Sequence, residues 1–128
     1  MNQKNNKKPE EELRVITKAK ELALHSYRVT LNTNKFPKKF RHSIVDKIQN
    51  RCLDIQDKLL EANSIKTTKK ELRCETITQA ITHCNQLSSY IELAMKLNLI
   101  SGSSAQYWSA MVLDVKRMAI AWRTSQSE

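Results

Sequence analysis

Apolar residues recur every three or four positions along four separate stretches of this chain, and the breaks between the stretches are short. That spacing puts them on one side of a helix, because successive residues turn about 100° around the axis. The densest stretch is Phe36 to Asn63, where Phe40, Ile44, Ile48, Cys52, Ile55, Leu59 and Ala62 form one stripe. Pro37 has a fixed φ and no N–H to waste, so it suits the first position of that helix. The pattern fades at Asn63–Ser64.

A first helix is predicted from Pro9 and the acids Glu10, Glu11 and Glu12, whose charge complements the helix dipole. Its main stripe is Leu13, Ile16, Ala23, Leu24, Tyr27 and Leu31. A second stripe, Val15, Leu22 and Val29, lies well round the cylinder, so the apolar arc is wider than one buried seam needs. Thr68 and Glu71 have the spacing of a capping box, which predicts a third helix from about Lys69 to Asn98. Its seam is Cys74, Ile77, Ile81, Cys84, Ser88, Ile91 and Met95, widened by Ala80, Leu87, Ala94 and Leu97. Asn98 to Gly102 interrupts the pattern with the only glycine, and Ser103 with Gln106 makes a second box. The fourth helix then runs to about Thr124 on the seam Trp108, Met111, Val115, Met118 and Trp122. Nearly opposite that seam lie Leu113 and Ile120, beside Ala110 and Ala121. Apolar backs on helices 1 and 4 predict a subunit interface through Val15, Leu22, Val29, Leu113 and Ile120.

Composition supports this layout. A chain of 128 residues with 1 Gly and 2 Pro has too few turn residues for the many corners of a sheet protein. The expected fold is all-α, an up-and-down antiparallel four-helix bundle over residues 9–124. A disordered basic arm at 1–8 and a flexible end at 125–128 flank it. No apolar run approaches the roughly 18 residues of a membrane span, and the first residues lack the apolar region of a secretion signal. Cys52, Cys74 and Cys84 all fall on apolar stripes and form no C-x-x-C pair, which predicts buried reduced thiols and a cytoplasmic setting.

Charge changes the picture more. The net charge is +9, and it is spread through segments expected to fold rather than confined to a tail. Such a surplus favours a polyanionic partner, either nucleic acid or an acidic protein face. One basic group is Lys35, Lys38, Lys39, Arg41, Lys47 and Arg51; another is Lys66, Lys69, Lys70 and Arg73; Lys116, Arg117 and Arg123 mark the last half of helix 4. In an up-and-down bundle the first two groups fall at opposite ends. Arg41 stands apart, since its helical phase turns it toward the apolar side. A buried unpaired guanidinium is costly, so Arg41 either ties the helix end or reaches past it to a ligand.

Catalytic constellations are missing from the sequence. His25, His42 and His83 lie on different helices without metal-ligand spacing, and no phosphate loop or nucleophile elbow is present. Asp54, Asp57 and Glu61 share the polar side of helix 2, where nearby Lys58 explains them as a solvated face. No exposed aromatic interleaving is expected, with Tyr90, Tyr107 and Trp108 assigned to the core or its edges. A non-enzyme without cofactor or metal is the expectation.

Phe36-Pro37-x-x-x-Arg41, followed by Ile44, Ile48 and Arg51, resembles the start of helix 2 in a group of small four-helix-bundle proteins. The group includes proteins encoded in intervening sequences of bacterial 23S ribosomal RNA genes and accessory variability determinant proteins of diversity-generating retroelements. Leu113-x-Val115-x-x-Met118-x-x-x-Trp122 is similar to the last helix of the accessory proteins. Many intervening-sequence members place a glycine after helix 2; here Glu61-Ala62-Asn63-Ser64 has none, which together with the positive charge favours the accessory branch. The resemblance implies a ring-like homopentamer that binds the retroelement's reverse transcriptase and RNA or DNA, supporting mutagenic cDNA synthesis. The alternative is a scaffold bundle of the intervening-sequence type that docks an acidic protein.

Overall fold

Each of the four stretches is helical in the computed structural model, which describes residues 7–126, with side chains from Arg14 onward. The helices are α1 (Lys7–Thr30), α2 (Asp46–Ser64), α3 (Lys70–Lys96) and α4 (Gly102–Gln126). The described residues contain no strand. Of the expected arm, residues 1–6 lie outside the described residues, while residues 7 and 8 already belong to α1. Of the expected loose end, Ser125 and Gln126 are helical, Gln126 is buried, and residues 127–128 lie outside the described residues.

Three side-chain ties fix the order and direction of the helices. Gln49 at the start of α2 donates to Thr30 Oγ1 at the end of α1, over 3.0 Å. The indole N–H of Trp108, early in α4, donates to Ser26 Oγ near the end of α1, over 2.9 Å. Arg123, late in α4, donates to Thr78 Oγ1 near the start of α3, over 3.1 Å. With the short α2–α3 link, these ties make an up-and-down antiparallel bundle. Its core runs the full length, from Val15 and Ile16 through Ile48, Cys52, Ile55, Leu59, Cys84 and Leu87 to Trp108 and Trp122.

The buried face of α1 differs from the one expected. Val15 and Leu22 are 1% and 0% exposed, deep in the core, whereas Leu24 and Leu31 are 52% and 66% exposed. The two apolar stripes are the two edges of a single seam whose middle holds Ala19, Ser26 and Thr30. Ser26 and Thr30 are tolerated there because each hydroxyl donates to the carbonyl four residues back, both over 2.8 Å. Hydroxyl-bearing residues at the centre of a seam are invisible to a search for large apolar side chains.

The helix termini also shift. No side-chain cap forms at Lys69, so the Thr68–Glu71 box is not made; Lys69 N–H instead closes a turn onto Lys66 C=O over 2.9 Å. At α4 the cap is Ser101, whose Oγ accepts from Ser104 N–H over 3.1 Å, two residues before the expected box. Asn98, with φ of 62°, ends α3: Leu99 N–H reaches Ala94 C=O and Asn98 N–H reaches Met95 C=O, the paired bonds of a Schellman motif. The left-handed position falls to asparagine, and the single glycine opens the next helix.

Candidate nucleic-acid interface

The basic segment ahead of α2 is irregular rather than helical from Pro37. Pro37 is extended (φ −55°, ψ 155°), Lys38–Phe40 make a 3₁₀ turn, and Arg41–Val45 make a π turn before α2 begins. Neither turn advances 100° per residue, so the helical phase assigned to Arg41 fails, and Arg41 is exposed. What pins the segment is Phe36. Phe36 is 2% exposed and its ring meets Trp108 edge-on at 6.5 Å, while Lys35, Lys38, Lys39 and Arg41 close to it in sequence are all exposed. Lys39 Nζ sits 5.5 Å from the Phe40 ring centroid, which holds one ammonium close to the bundle. Lys47, on the first turn of α2, is exposed as well.

Other basic positions divide between solvent and structure. Lys66, Lys69 and Lys70 are exposed at the α2–α3 link, and Arg117 is exposed on α4. The link lies a helix length from Lys38, roughly 28 Å at 1.5 Å per residue of α2. Two separate basic ends result on one chain. Arg51 is half-buried and paired to Asp54 at 3.2 Å, with its Nε buried and no hydrogen-bond partner among the described residues. Lys116 and Arg123 are half-buried on the flank of α4 that faces α3. Arg73 is 2% exposed: its Nη1 donates to Ile65 C=O over 2.8 Å, and its guanidinium lies 5.4 Å from the Trp122 ring. That residue is a clamp between the α2–α3 link and α4, and it does not belong to a phosphate-binding surface.

The expected oligomer interface is corrected in the same way. Val15 and Leu22 are core residues and Val29 is half-buried against the core, so none is available to a second subunit without opening the bundle. Leu113 remains 40% exposed, and Ile120 is half-buried against the core.

Tyr107 is the aromatic side chain that sequence reasoning misplaced. It is 63% exposed at the end of the bundle that carries the α1–α2 and α3–α4 links. Its ring meets His25 edge-on at 5.4 Å, and His25 in turn meets Trp108 at 5.8 Å. Burial, then the neighbouring Arg28 charge, lowers the His25 pKa and so favours the neutral imidazole. These rings, with Lys35, Ser103 and Ser104, line a cavity of about 240 Å³. The available signal was that Tyr107 lies outside the three-to-four spacing that carries Trp108, Val115 and Trp122, turned 100° from its tryptophan neighbour.

The cysteines are sorted by burial. Desolvation pushes the Cys52 thiol up to about 11 against a hydrogen bond to Ser26, and pushes Cys84 up to about 12 against the Lys116 charge. Cys74 is only partly buried, contrary to expectation, and its thiol reaches Arg123 C=O at 3.8 Å. Among the described residues no group of His, Cys, Asp and Glu is placed to hold a metal ion. Asp54 is engaged by Arg51, and Glu61 by Lys58 at 3.2 Å, as a solvated polar face requires. No described helix is long and apolar enough to cross a membrane.

Fold and surface together define an all-α bundle with exposed positive charge at both ends. No protein-family model matches the chain, and comparison with curated proteins and with solved structures finds no match.

Proposed function

We propose that this bundle is a non-catalytic accessory protein that binds nucleic acid through the basic segment before α2 and partners the reverse transcriptase of a diversity-generating retroelement. The observation that carries the nucleic-acid reading is the exposed group Lys35, Lys38, Lys39, Arg41 and Lys47, anchored by buried Phe36. Ammonium and guanidinium groups fixed on a rigid end neutralise successive phosphates and release counterions, without reading sequence. The polymerase partnership and the support of mutagenic copying rest on the resemblance of the Phe36-Pro37-x-x-x-Arg41 element and of the last helix.

The same reading makes the working particle a homo-oligomer, a pentameric ring by resemblance. Charge says where a second copy can approach. Between Glu75 and Asp114 only Glu92 and Lys96 are charged, and they pair with each other at 3.2 Å. Residues 76–113, most of α3 and the first half of α4, therefore carry no net charge on a molecule of +9, and Leu93 and Leu113 are exposed among them. Copies meeting there avoid opposing like charges, and depletion of charge is the compositional mark of an interface core.

A salt series of binding to labelled RNA and DNA, with mass measured by light scattering on the same sample, tests both parts. Lys38→Glu, Lys39→Glu and Lys47→Glu together are expected to reduce affinity by 10-fold or more at moderate salt, roughly an order of magnitude for three lost phosphate contacts. Helicity and particle mass should stay unchanged. Leu93→Glu with Leu113→Glu should yield monomers. An oligomer that ignores both nucleic acids at low salt moves the positive face to an acidic protein partner, the scaffold reading.

A further inference from the structure

We infer that the cavity between the end of α1 and the start of α4 receives a single unpaired base of a nucleic-acid strand, with Tyr107 as its stacking surface and Lys35 beside the neighbouring phosphate. The inference rests on the nucleic-acid reading above and narrows it to single strands.

Four observations converge on this. The cavity volume of about 240 Å³ is below the roughly 300–1,000 Å³ of sites that enclose drug-sized ligands, and suits one planar ring system. Tyr107 lines it while remaining 63% exposed, so the face of its ring is accessible to a planar partner. His25 braces Tyr107 edge-on, so the ring is held in place rather than free to sweep. Lys35 lines the same cavity and begins the exposed run continued by Lys38, Lys39 and Arg41, so a strand that parks a base here lays its backbone along positive charge.

The remaining chemistry agrees. No carboxylate lines the cavity, so nothing there repels phosphate or selects a cation. The hydroxyls of Ser103 and Ser104 each donate and accept, which suits the polar edge of any base without selecting one. A base inside a duplex is stacked and paired on both sides and cannot enter, whereas every unpaired base has a free π-face. The expected preference is therefore for single strands, with little dependence on sequence.

Tyr107→Ala and Tyr107→Phe test the idea, using the full chain, a labelled mixed-sequence RNA of about ten nucleotides, and the same sequence as a blunt duplex. Loss of one base stack should weaken single-strand binding roughly 5- to 150-fold in Tyr107→Ala. Tyr107→Phe should bind within about 2-fold of the parent, because the ring is kept. Duplex affinity should not change in either variant, and circular dichroism should confirm folding, as expected for an exposed residue. Equal losses on both forms, or no loss in Tyr107→Ala while the parent binds, overturns the base site and leaves the basic surface standing. A parent protein that binds neither form at low salt overturns the site and the nucleic-acid reading together. Lys35→Glu should weaken binding to both forms, with the larger loss on the single strand.

Discussion

Ser26→Ala is the sharpest test of how the core is held together. Ser26 is 0% exposed and sits at the centre of the α1 seam, where its Oγ accepts the Trp108 indole N–H over 2.9 Å and donates to Leu22 C=O over 2.8 Å. Alanine keeps the backbone and most of the volume but removes the acceptor. Trp108 is itself 1% exposed, so its N–H has no water to turn to. Leaving such a donor unpaired costs about 1–3 kcal/mol. The loss of the Leu22 contact adds little, because a carbonyl inside a helix keeps its backbone partner. For a chain of this length about 4 °C of Tm goes with each kcal/mol, so the expected fall is roughly 4–12 °C. Urea denaturation followed by far-ultraviolet circular dichroism measures it, and an unchanged m-value would show that the denatured state is not the cause. Trp108→Phe removes the donor while keeping a ring to meet Phe36. In that background Ser26→Ala should cost less than about 0.5 kcal/mol, so the pair couples strongly in a double-mutant cycle. A loss of similar size in both backgrounds, or under about 0.5 kcal/mol in the parent, would refute the assignment of this hydrogen bond as the link between α1 and α4.

Arg73 and the thiols give two further tests. Arg73→Met should lower stability by about 2 kcal/mol or more, through the lost stacking on Trp122 and the lost bond to Ile65 C=O. The salt slope of nucleic-acid binding should not move, and a slope reduced by one contact would return Arg73 to the binding surface. Among the cysteines, Cys74 should react first with a thiol reagent under native conditions, while Cys52 and Cys84 should react only as the bundle opens. Cys52 at about 11 and Cys84 at about 12 hold their protons more tightly when folded than at the ordinary value of 9.0. Their contribution is complete below about pH 9 and is lost as pH rises through 11 to 12. Unfolding at pH 8 and pH 10.5 should show a shallower decline for the Cys52→Ala, Cys84→Ala pair than for the parent; equal declines would remove the thiols as the cause.

The number, order and approximate extent of the helices were set by sequence alone, because a three-to-four repeat of apolar positions has one low-energy solution when glycine and proline are scarce. The seam of α2 was legible for the same reason, and that of α3 through Ile77, Ile81, Cys84 and Ile91, while Leu97 proved exposed and Arg73 and Thr76 buried. The placement of positive charge at two separate ends was legible too, because it follows from short links between long helices. Only the tertiary structure decided which arc of α1 is buried. Ser26 and Thr30 enter the seam when their hydroxyls find backbone and indole partners, and no local pattern encodes a partner 82 residues away. It also decided which basic groups are free. Arg73 becomes a clamp because Trp122 arrives from the other end of the chain, and Arg41 turns to solvent because packing Phe36 against Trp108 is served by a 3₁₀ turn and a π turn rather than a regular helix start. Periodicity records what each helix prefers by itself; the face it buries and the charges it leaves in water depend on neighbours that only the fold brings into reach.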